Sequence, residues 1–166
     1  YSVFEDRFKE EDFGFSEGLD ELGMILLNEI GGSMGPIYGT IFMDMAEAGE
    51  DLEDISLEDL GNMLAAGLEG LQGIVEAQVG DKTLVDTLSP SVDVLKAGAA
   101  EGKCFKATLE EMKAAAAAGR DSTKDLVAKF GRSSRLGERS RGVLDAGATS
   151  CCIILTAMAD GIIELL

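Results

Sequence analysis

Apolar residues recur at three- and four-residue steps along most of the chain, the spacing that turns one face of a helix inward. Leu19, Leu22, Leu26 and Ile30 form the first clear stripe, with Ser16 placed to cap it. The apolar run over residues 37–48 predicts a second helix, stopped near Gly49. Ser56-x-x-Asp59 reads as a capping box opening a long helix with Leu57, Leu60, Leu64, Leu68, Leu71 and Val75 on one stripe. Thr83-x-x-Asp86 opens the next, with Leu84, Leu88, Val92 and Leu95 inward and a kink predicted at Pro90. Residues 103–118 follow, ending in five alanines before Gly119. Ser122-x-x-Asp125 predicts a short helix through Phe130, and residues 148–166 a last, apolar one. Residues 1–15 read as a helix tail and a loop, and 131–147 lack periodicity. Strand signal is weak throughout. The expectation is an all-α fold, an antiparallel helical barrel or bundle of about seven to eight helices in a single domain over residues 1–166.

Composition refines this only slightly. With 46 % hydrophobic residues, 5 % aromatic and no Trp, the core must be built from Leu, Ile, Val, Met and Ala. Glycines 61, 67, 70, 73, 98 and 161 interrupt otherwise good helical patterns. Each costs about 1 kcal/mol against Ala in a helix interior, so close helix approach or room for a ligand must favour them. The three cysteines, Cys104, Cys151 and Cys152, have no metal-site spacing and no histidine to help them. Adjacent Cys151 and Cys152 read as small buried hydrophobes in a reducing cytoplasm. Residues 151–166 are too short a run to cross a bilayer.

Charge changes the picture more. Fourteen cations against 31 anions leave a net charge of −17, which disfavours nucleic acid and anionic membranes as partners. No Lys or Arg lies between Lys9 and Lys82, and residues 44–59 carry eight acids. Lys129, Arg132, Arg135, Arg139 and Arg141, by contrast, crowd one segment with only Glu138 among them. A phosphate-bearing ligand or salt bridges to the acidic half would each explain that cluster.

The chemistry-bearing stretch is Gly31-Gly32-Ser33-Met34-Gly35-Pro36-Ile37-Tyr38-Gly39-Thr40. Its glycines leave N–H groups bare, and Pro36 suits the first turn of a helix. Such an entry receives anions well, because unpaired N–H groups and the helix dipole point the same way. A tight turn with glycines for packing is the plainer reading, and both stay open. Asp145-Ala146-Gly147 sets a carboxylate and a glycine at the last helix entry, as a cap or as a contact to a sugar or phosphate. Gly80-Asp81-Lys82-Thr83 is a turn that places Leu84 at a helix mouth, facing the core or a flat base. No nucleophile–base pair stands out, so no catalytic residue is assigned and hydrolysis by this chain alone is disfavoured.

These motifs, in this order, together with Leu136-Gly137-Glu138-Arg139-Ser140 and Asp145-Ala146-Gly147-Ala148-Thr149-Ser150, closely resemble the nucleotide-binding L subunits of dihydroxyacetone kinases over essentially the whole chain. The resemblance implies a helical barrel holding ADP or ATP with magnesium. The nucleotide's γ-phosphoryl group passes to dihydroxyacetone on a K subunit, and a phosphotransferase-system M subunit recharges ADP. It implies that Gly32, Ser33 and Met34 contact phosphate and that Leu84 covers adenine. Arg132, Asp145, Ala146 and Gly147 then contact the nucleotide. The family usually has a hydroxyl residue at the place of Met34, and a glycine-containing basic segment where this chain has Ile74-Val75-Glu76-Ala77-Gln78-Val79. Its aspartate-rich magnesium motif would precede Tyr1, so the resemblance predicts an upstream metal-binding segment and no metal ligand among residues 1–166. A non-catalytic regulatory or scaffold relative, and the related domain of fatty acid kinases, are the alternatives.

Overall fold

The computed structural model describes residues 2–10 and 13–166, and its backbone is helical wherever regular structure occurs among them. Seven α-helices follow one another: α1 (Ser2–Glu10), α2 (Phe15–Glu29), α3 (Met34–Ala48), α4 (Leu57–Ile74), α5 (Val85–Ala100), α6 (Phe105–Ser122) and α7 (Ala146–Leu165). A 3-10 segment, Arg132–Ser140, precedes the last. The chain divides into two compact units, Tyr1–Val75 and Glu76–Leu166. Part of the 1–15 stretch lies outside the described residues; α1 supplies the expected helix there.

In the first unit α2 packs on α3 and α3 on α4, with α1 against α2. Glycine sets how closely the first pair approaches. A Cβ on Gly35 would collide with the carbonyls of Ile30 and Leu26, and one on Gly39 would lie 3.0 Å from the carbonyl of Gly23. Tyr38, Ile41, Phe42 and Met45 of α3 are buried, as are Leu60, Met63, Leu64 and Leu71 of α4. Gly67 lets α4 rest on Ile41, 3.0 Å from where its Cβ would be. Close approach therefore accounts for this mid-helix glycine, whereas Gly73 faces open space.

Two caps behave differently. Ser56 and Asp59 form the expected reciprocal capping box, Asp59 N–H donating to Ser56 Oγ at 3.1 Å and Ser56 N–H to Asp59 Oδ2 at 2.9 Å. Ser16 is not a cap. The α2 N-cap is Gly14, and Ser16 Oγ instead donates to the Gly49 carbonyl at 2.7 Å, pinning the start of α2 to the end of α3. The Gly31 stretch is also less of a loop than its composition suggests, because α3 already begins at Met34.

In the second unit α5, α6 and α7 pack pairwise on one another. Helix α5 runs unbroken through Pro90. Proline has no N–H to offer the Asp86 carbonyl one turn back, and α6 occupies that side so tightly that a Cβ on Gly119 would strike the same oxygen. The short helix expected from Ser122 to Phe130 does not form, and α6 ends at Ser122. Its would-be carbonyl acceptors are taken elsewhere: Thr123 and Leu126 by Lys82 Nζ, Lys124 by Gly142 N–H, Asp125 by Arg141. Tertiary donors thus replace the i+4 amides.

Helix α7, at 20 residues, is longer than residues 151–166 and by length and composition alone could cross a bilayer. The brevity argument from sequence therefore does not hold. One face packs on α5 and α6, burying Ala148, Cys151, Cys152, Leu155 and Ala159, and Asp160 pairs with Lys113 of α6 at 2.6 Å. Burial pushes the Cys151 thiol up to about 12, which suits the small-hydrophobe reading; Cys104 is exposed.

Candidate nucleotide site

The residues expected at the site fall into two sets, one in each unit. Gly32, Ser33 and Met34 form the entrance to α3, a 15-residue helix. Gly32 takes φ +81°, a left-handed turn that glycine adopts without strain, and nothing lies within 4 Å of where a Cβ would stand on Gly31 or Gly32. Ser33 makes no side-chain cap bond, and Gly31, Gly32, Ser33 and Met34 are all exposed. This entrance is the positive end of the α3 dipole and lies exposed. The packing reading of the stretch holds for Gly35 and Gly39, while Gly31 and Gly32 pack against nothing.

In the second unit, Asp145 caps α7 by accepting Ala148 N–H on Oδ2 at 2.8 Å. Ala146 is exposed, and a Cβ on Gly147 would lie 3.5 Å from that of Leu84. The structure therefore brings Leu84 beside the Asp145-Ala146-Gly147 turn. Leu84 is itself 6 % exposed, so any base it covers would meet only the edge of its side chain. Burial holds the Asp145 carboxyl above its ordinary range; the N–H groups of Ala148 and Gly147 and the Lys82 charge draw it back down, while Asp86 adds to the rise. A carboxylate at this place repels phosphate and accepts hydroxyl or amino groups, so it suits the sugar or base of a nucleotide better than its phosphates.

The cationic segment separates into two roles. Lys129 pairs with Asp81 at 2.5 Å, and Arg141 pairs with Glu138 at 3.1 Å while also donating to the Asp125 carbonyl. Arg132, Arg135 and Arg139 lie exposed on the 3-10 segment and make no ion pair among the described residues. Salt bridges thus account for the two outer cations, and three arginines remain facing solvent.

Lys82 is the residue that the pattern of the chain did not single out. The residue is 2 % exposed, and its ammonium donates to the carbonyls of Thr123 at 2.6 Å, Leu126 at 3.2 Å and Val143 at 2.5 Å. Asp86 braces the same turn, accepting Gly80 N–H at 2.6 Å and Thr83 N–H at 2.8 Å. Only the motif Gly-Asp-Lys-Thr marked the place. Among the described residues no three Asp, Glu, Cys or His side chains converge on one point.

Residues 3–160 match the DAK2 domain profile. Over 150 residues the chain is 35 % identical to the ADP-binding subunit DhaL of the PEP-dependent dihydroxyacetone kinase of Escherichia coli (strain K12), covering 90 % of this chain and 70 % of that one. Its identity to the DhaL subunit of kinase 1 of Listeria innocua is 38 % over 136 residues, covering 82 % and 63 %. A more distant relative is the human triokinase/FMN cyclase, 30 % identical over 143 residues, of which the chain spans only 24 %. The chain thus spans about two thirds of the bacterial subunits' length. With the profile matching nearly end to end on an all-helical fold, this chain belongs to the DAK2 domain family.

Proposed function

We propose that this chain is the ADP-binding subunit of a dihydroxyacetone kinase, and that it presents a nucleotide whose terminal phosphoryl group is passed to dihydroxyacetone on a partner subunit. The observation that carries this reading is the identity to the ADP-binding subunits over most of the chain. The two helix entrances support it. In the first unit, the exposed entrance at Gly32, Ser33 and Met34 suits phosphate oxygens; in the second, Arg132 offers an exposed cation. Leu84 and Gly147 border the base, and the Asp145 carboxylate takes a hydroxyl or amino hydrogen beside Ala146. Bound ADP or ATP supplies the transferable phosphoryl group; the chain positions and neutralises, and needs no nucleophile of its own.

Magnesium enters this reading as the companion of the nucleotide phosphates, and no residue is assigned to it. A K subunit holding the sugar, an M subunit recharging ADP and a cytoplasmic setting complete the proposal. Calorimetric titration of ADP with magnesium into the chain tests it. Arg132→Ala and Asp145→Ala are each expected to weaken binding about tenfold or more, as lost charged contacts do, with far-UV circular dichroism unchanged. Binding equal to the parent's in both variants overturns the assignment of that site.

A further inference from the structure

Lys82 sits in the left-handed backbone region at φ +62°, where a residue other than Gly, Asn or Asp is held at a cost by its surroundings. A glycine would relieve the backbone, so the side chain must be what the position needs. The residue is almost fully buried, and its ammonium is bonded to main-chain carbonyls alone. Two of those carbonyls, Thr123 and Leu126, lie in the segment just after α6, and the third, Val143, in the lead-in to α7. Thr123 is the C-cap of α6, where the helix dipole is negative, and Val143 stands two residues before the α7 N-cap. Thr123 then passes the constraint on: its Oγ1 accepts the Asp145 N–H at 2.9 Å while donating to the Arg120 carbonyl at 2.6 Å.

We infer that Lys82 is a positioning residue, which by gathering three carbonyls on one buried ammonium fixes the Asp145-Ala146-Gly147 turn against Leu84. It touches no ligand. It determines where the N-cap carboxylate and the Gly147 backbone stand, and its charge favours the ionised form of Asp145. The consequence for nucleotide affinity rests on the ADP-binding reading above; the consequence for the turn does not.

Two readouts keep these apart. Lys82→Met retains most of the volume and removes the ammonium, and Met112→Ala, a core truncation in α6 at a residue 1 % exposed, serves as a control for general loss of stability. Amide hydrogen exchange of the intact chain is followed by NMR. In Lys82→Met the Asp145 and Ala148 amides are expected to exchange about tenfold faster or more, relative to Leu88 and Leu95 in α5, and in Met112→Ala no such local difference arises. Uniform acceleration in both variants, or unchanged exchange at Asp145 and Ala148, overturns the inference. ADP titration of the same proteins gives the second readout. Affinity is expected to fall in Lys82→Met and to hold in Met112→Ala, and equal affinity in Lys82→Met and parent overturns the link from turn to ligand. A parent that binds no ADP defeats the nucleotide reading instead, and leaves the exchange result to decide on Lys82.

Discussion

Asp145 combines two demands at one residue. As the α7 N-cap it accepts the Ala148 N–H, yet burial raises its proton affinity above that of an exposed aspartate, whose ordinary value is 3.8. The folded protein therefore holds this proton more tightly than the unfolded chain, and stability falls as pH rises from 3.8 through the folded value. Above that window the carboxylate is a standing cost. Asn caps a helix as well as Asp and carries no charge. Asp145→Asn is thus expected to melt at or above the parent's temperature at pH 7, with the difference closing as pH falls below 3.8. A melting temperature well below the parent's at pH 7 would show that the charge stabilises the fold. Asp145 was legible as a cap from its place before an apolar run. Lys82 was not, because a lysine's burial depends on carbonyls 41 to 61 residues away turning toward it.

At the scale of elements, local signals held where the partners are local. The Ser56–Asp59 box needs only three residues of spacing, and it formed as read. Ser16 and the stretch from Ser122 to Phe130 followed the same kind of signal and came out differently. In each, a distant group took the bond: the Gly49 carbonyl for Ser16, and the Lys82 and Arg141 side chains with the Gly142 N–H for the carbonyls after α6. The glycines of the 31–40 stretch also divide by tertiary context. Gly35→Ala forces a methyl into the carbonyls of Ile30 and Leu26 and is expected to cost about 1–3 kcal/mol, or roughly 2–4 °C of melting temperature per kcal/mol. Gly31→Ala meets nothing within 4 Å and should leave the melting temperature near the parent's. Thermal scans of the two variants check the contrast. Equal losses would mean that the α2–α3 contact is not set by Gly35.

For the whole molecule, a net charge of −17 makes the placement of its few cations informative. Of the five in residues 129–141, two are tied to neighbouring carboxylates and three arginines stand exposed on the 3-10 segment. The order of motifs was enough to name the family, since it does not depend on how the helices pack. The roles of single side chains depend on packing, and there the pattern of the chain ran out. The central claim is that this chain binds ADP, with the Asp145-Ala146-Gly147 turn and Leu84 at the site. Its most direct test is a titration of the isotope-labelled chain with ADP and magnesium, following the backbone amides by NMR. The account predicts that Leu84, Arg132, Ala146 and Gly147 shift with one dissociation constant. No shift at these amides, or shifts confined to residues elsewhere in the chain, would contradict it.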